Sequence, residues 1–86
     1  MQRGWVVSPD YRAAINALKN ARTRVGISQR ELARRLNKPP SFVNKIEQLE
    51  RRLDVLEFIA ISRAMGIDEG ELLKLISGVL PKAVVV

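Results

Sequence analysis

Apolar positions along this chain recur three and four residues apart, and polar punctuation divides them into five blocks. Ser8-Pro9-Asp10 supplies an N-cap, a proline at the first helical position and an early acid. From there Ala14, Ile15, Leu18, Ala21 and Val25 share one face and Gly26 stops the run, which predicts a first helix over about 9–24. Ser28-x-x-Glu31 reads as a capping box that opens a short second helix. That helix turns Leu32, Ala33 and Leu36 inward and ends at Asn37. Pro39-Pro40 interrupts, because the residue before a proline avoids helical angles. Pro40 then starts a third helix carrying Phe42, Val43, Ile46 and Leu49. Asp54-x-x-Glu57 opens a fourth, with Val55, Phe58, Ile59, Ser62 and Met65 inward and Gly66 as its stop. Asp68-x-x-Glu71 opens a fifth, with Leu72, Leu75, Ile76 and Val79 inward, ending near Gly78. Five helices in 86 residues predict one compact all-α domain, helical over 8–78, with arms at 1–7 and 79–86. The arms contain Trp5-Val6-Val7 and Ala83-Val84-Val85-Val86, β-branched runs without helical period. Two readings stay open for them: short terminal β-strands paired as a ribbon, or frayed ends.

Composition narrows the chemistry. Hydrophobic residues make up 47%, enough for a folded core, and there is no Cys and no His. Disulfides, a thiolate nucleophile and the commonest general base and metal ligand are therefore excluded. The chain has no signal-peptide pattern and no apolar stretch near the length of a membrane span, which points to the cytoplasm and to no membrane partner. The net charge is +6, unevenly spread. Residues 1–46 hold ten basic and two acidic residues, a net +8; residues 47–86 hold five and seven, a net −2. A basic first half without catalytic side chains points to a polyanion as partner.

The interval from Ser28 to Ile46 carries the functional signal. Two short helices follow each other across a tight turn. Leu32, Leu36, Val43 and Ile46 are apolar where two crossing helices touch, and Ala33 is small where their backbones come closest. Asn37 stands where the turn needs a left-handed residue, which Asn tolerates better than most. This is the helix-turn-helix pattern. The run LKNARTRVGISQRELARRLNKPPSFVNKIE, continued by RRLDVLEFIAISRAMGI, resembles the Xre/Cro-repressor-like helix-turn-helix family over about residues 14–76. The resemblance implies a lambda-repressor-like five-helix domain that binds DNA. Two departures stand out. Asn37 occupies a turn position where the family usually has Gly, and no Gly follows Glu47 in Glu47-Gln48-Leu49-Glu50-Arg51-Arg52. The second departure predicts a third helix one turn longer than usual, a recognition helix over about 40–50.

At about 100° per residue, Pro40, Ser41, Asn44, Lys45 and Gln48 span roughly 0° to 140° of that helix. Phe42, Val43, Ile46, Leu49 and Glu50 take the opposite side. The polar set suits DNA bases: Asn44 donates and accepts together, matching adenine, and Lys45 donates to guanine. Gln29, in the first turn of helix 2, and Arg30, Arg34, Arg35 and Lys38 around the motif are candidate phosphate contacts. Arg12 and Lys19 on helix 1 are further candidates, and Arg3 is a candidate minor-groove arm. The resemblance further implies that Arg22 pairs with Glu47 as a structural link, and that the Gln29 amide also touches backbone or the recognition helix.

Ile67, Leu72, Leu73, Leu75, Ile76, Val79 and Leu80 exceed what one face of a short helix needs, which points to self-association as a homodimer. The alternative is a partner-protein surface, as in an antitoxin. The acids at positions 54, 57, 68, 69 and 71 lie where helix N-termini favour them, and there is no phosphate loop or metal-ligand cluster. The expectation is a small transcriptional regulator acting as a repressor on double-stranded DNA, not an enzyme, with no metal and no cofactor.

Overall fold

The computed structural model describes residues 7–86. It contains α1 (Pro9–Arg24), α2 (Gln29–Arg35), α3 (Ser41–Glu47), α4 (Val55–Ala64) and α5 (Glu69–Ser77). No strand occurs among the described residues. Of the two readings left open for the arms, the tail over 81–86 forms no strand, and Trp5 and Val6 lie outside the described residues. Instead the tail returns to the start of α1. The Ser8 hydroxyl donates to the Val85 carbonyl at 2.8 Å, and the Val85 amide donates to Asp10 Oδ2 at 2.8 Å.

Each helix start follows local chemistry, with two departures. Ser8, Ser28, Asp54 and Asp68 all accept hydrogen bonds from first-turn amides. Only Asp54–Glu57 is a reciprocal box. The Glu31 carboxylate does not reach back to Ser28. It takes Arg34 and Arg35 instead, because charge-assisted bonds outweigh a bond to a neutral amide. Pro40 is the N-cap of α3 rather than its first residue, and it makes no side-chain cap.

Four helices end in the same way. The amide one residue past the C-cap bonds back to the carbonyl three residues earlier, and the next amide reaches five residues back. This motif needs a left-handed residue, supplied by Gly26, Asn37, Leu49 and Gly66 at φ 80, 58, 63 and 76. Leu49 explains the missing glycine after Glu47. It adopts the left-handed angle itself, so α3 stops at Glu47 and does not run on to residue 50. The backbone strain is offset because the Leu49 side chain is buried at 5% exposure.

The core joins Ile15, Leu18 and Ala21 of α1 to Leu32, Ala33, Val43, Ile46 and Leu49 around the turn, with Ile61, Met65 and Leu72 from α4 and α5. Four positions expected inside are not. Val25 is the C-cap of α1, Val55 begins α4 ahead of the core, and Leu75 and Val79 flank the single line that α5 buries at Leu72.

One ion pair fixes α3 to its neighbours. Arg22 Nε donates to Glu47 Oε2 at 2.7 Å and its Nη2 to Oε1 at 3.0 Å. Its Nη1 donates to the Ile27 carbonyl at 2.7 Å. Gln29 Nε2 adds a fourth bond, to Glu47 Oε1 at 2.7 Å. Both charged side chains are buried, at 9% and 3% exposure.

Two outcomes follow for stability. Glu47→Ala leaves a buried guanidinium unpaired and is expected to cost about 3–5 kcal/mol. Thermal unfolding checks this, at about 4–8 °C per kcal/mol for a domain of this size; an unchanged melting temperature contradicts the anchoring role. At position 49 the usual order of small residues reverses. Leu49→Ala loses the buried side chain and keeps the strain, whereas Leu49→Gly loses the side chain alone. Leu49→Gly is expected to be the more stable of the two by about 1 kcal/mol in urea unfolding.

Candidate nucleic-acid interface

The α3 helix is seven residues long, too short to hold its shape by propensity alone. Its rear face makes it stable. Val43 and Ile46 lie in the core, and Glu47 is bound from α1 and α2. Pro40, Ser41, Asn44, Lys45 and Gln48 are all exposed on the opposite side. The outward surface thus carries an amide at Asn44, an ammonium at Lys45, a hydroxyl at Ser41 and a second amide at Gln48. Together these offer both donors and acceptors, on a helix narrow enough for a major groove.

Phe42 stabilises the flank. Its ring meets two cations, Lys38 Nζ at 5.5 Å from the centroid and the Arg51 guanidinium at 4.9 Å. Arg51 in turn grips Glu57 with two nitrogens, one pair at 2.8 Å from Nη1 to Oε1 and the other between Nη2 and Oε2. These hydrogen bonds from Arg51 pull the Glu57 carboxyl below its ordinary value. Glu57 also receives the Asp54 amide at 3.1 Å. The segment after α3 is therefore tied to α4. Tyr11 supports the same segment from α1. Its hydroxyl accepts the Leu53 amide at 3.1 Å, and the Arg52 guanidinium stacks 5.0 Å from its ring. Sequence reading missed Arg51 and Tyr11. The Asp54-x-x-Glu57 spacing located the cap but gave no sign that Glu57 also faces an arginine six residues back.

The structure separates the five residues expected at phosphates. Arg30 is exposed and makes no side-chain bond among the described residues. Gln29 has its amide nitrogen on Glu47. Lys38 lies over Phe42. Arg34 and Arg35 are tethered to Glu31 by bonds of 2.6–2.9 Å, and Arg35 Nη1 also donates to the Ala64 carbonyl at 2.9 Å, at the end of α4. The hydrogen bonds from Arg34 and then Arg35 lower the Glu31 carboxyl from 4.5 to about 2. With its folded value depressed, the contribution of this pairing to stability is fully present above about 4.5 and is lost as pH falls toward 2. It holds through the neutral range.

Among the described residues no helix is long and apolar enough to cross a membrane. Arg3 lies outside the described residues.

A family model described as helix-turn-helix matches residues 18–72, well over half of the chain. The solved structure of an XRE-family like protein from Pseudomonas syringae pv. tomato str. DC3000 is 46% identical, with a TM-score of 0.75. That match covers 84% of this chain and 88% of that one. A hypothetical transcription factor from Neisseria, NHTF, is 20% identical with a TM-score of 0.64, covering 94% of this chain and 90% of that one, and shares the fold. No curated protein matches the chain. By its matched motif and its identity to the Pseudomonas protein, the chain belongs to the XRE family of helix-turn-helix proteins.

Proposed function

We propose that this chain is a sequence-specific double-stranded-DNA-binding transcriptional regulator, acting as a repressor, whose α3 enters the major groove. The observation that carries this reading is the two-sided construction of α3: Ser41, Asn44, Lys45 and Gln48 face outward while Val43, Ile46 and Glu47 are held from behind. A rigid helix of this kind suits readout of base edges, since every reading side chain keeps its register. Pro40, at its N-cap, sets the entry of the chain beside the groove. Arg30 and the amides at the start of α2 would take phosphates, joined by Lys38. Gln29 would act mainly by positioning, through its bond to Glu47.

The second half would pair two copies. Val55, Leu56 and Leu73 are 77%, 76% and 57% exposed, more apolar surface at one end of the molecule than a monomer needs. A two-fold dimer would set two recognition helices about 34 Å apart on a palindromic site. The same surface supports a second reading, a partner-protein groove, because Tyr11, Leu53, Phe58, Leu73 and Ile76 line an open depression of about 250 Å³.

Asn44→Ala and Lys45→Ala are each expected to cost about 1–3 kcal/mol of binding to a site selected from random duplexes, and to relax preference at one base pair. Unchanged discrimination between selected and scrambled duplexes in both variants would sink the assignment of the reading face. Sedimentation at tens of micromolar is expected to give a dimer, and Leu73→Glu a monomer. A monomeric parent that instead co-purifies with a second polypeptide favours the partner-protein reading.

A further inference from the structure

An open cleft of about 420 Å³ lies between α1 and the end of α3, lined by Arg12, Asn16 and Lys19 from α1 and by Glu47 and Leu49. Arg12 and Lys19 are exposed, and neither makes an ion pair or side-chain hydrogen bond among the described residues. Glu47 does not compensate them, because Arg22 and Gln29 already occupy its oxygens. The cleft is therefore positive. Its position is also informative. Gln48, exposed between Glu47 and Leu49, places the cleft beside the outward face of α3. Arg12 and Lys19 stand two helical turns apart, about 10 Å along α1. That separation suits phosphates spaced along a strand better than one small anion.

We propose that this cleft takes the phosphodiester backbone of the strand that passes the C-terminal end of α3, with Arg12 and Lys19 on separate phosphates and Asn16 between them. This is a second backbone contact, distinct from the cations of α2, and it rests on the duplex-binding reading above. The cleft carries no base readout, so its contribution is the same for every sequence.

The test compares the parent, the double variant Arg12→Ala/Lys19→Ala, and the control Arg63→Ala/Lys74→Ala, which removes the same charge from the second half. Binding is followed by fluorescence anisotropy on a selected duplex and a scrambled one from about 50 to 300 mM salt. The expected result is a slope of log affinity against log salt that is shallower by about two in the cleft variant. Its affinity falls by the same factor on both duplexes, its melting temperature stays at the parent's, and Arg12→Lys/Lys19→Arg restores binding. The control keeps the parental slope. An unchanged slope in the cleft variant overturns the proposal. So does an equal change in the control, which is a net-charge effect, or a loss confined to the selected duplex. A parent that binds neither duplex overturns the duplex-binding reading itself, and the cleft assignment with it.

Discussion

The carboxylate of Glu47 is where α1, α2 and α3 meet, and the placement of the exposed helix depends on it. A buried charge is tolerated only when paired and fully hydrogen-bonded. Here Arg22 gives it two N–H groups from α1 and Gln29 gives it a third from α2. The remaining Arg22 nitrogen holds the Ile27 carbonyl, in the link between those two helices. No member of the set can move without leaving another unsatisfied. A seven-residue helix with no side-chain cap thereby acquires a fixed direction that its own residues do not supply.

Short connections make that arrangement possible. The repeated left-handed ending lets each helix stop within two residues and still satisfy its last carbonyls. Two of these positions are glycine, one is Asn37, and Leu49 is the exception. Leu49 combines two roles that usually belong to different residues, the backbone reversal after α3 and a place in the core. The segment that follows is tied down twice, by Arg51 on Glu57 and by Tyr11 on the Leu53 amide.

The helices were legible because their signals are local. N-caps, early acids and apolar spacing lie within a few residues of each other, and every helix starts near its expected position, with α3 alone ending a turn early. The faces of α3 were legible for the same reason, once its period was set. Three features were not. The end of α3 required a leucine at positive φ, which no local rule favours and only burial makes affordable. The reach of Glu31 toward Arg34 and Arg35, rather than toward Ser28, was a contest between two local partners that spacing alone leaves undecided. The return of the tail to Ser8 joins residues 77 positions apart, far beyond any pattern in a window. Inward positions on α4 and α5 were overcounted because periodicity identifies an apolar arc but not how much of it a small core can cover.

The tether on Arg34 and Arg35 has a kinetic side. In the proposed role, a protein must leave wrong sequences quickly to find the right one, and each cation that engages any phosphate lengthens its stay there. Two arginines folded back onto Glu31 would keep the long-range attraction of a basic surface while withholding part of its grip. The search would then be governed less by how strongly the surface is drawn to DNA than by how readily it lets go.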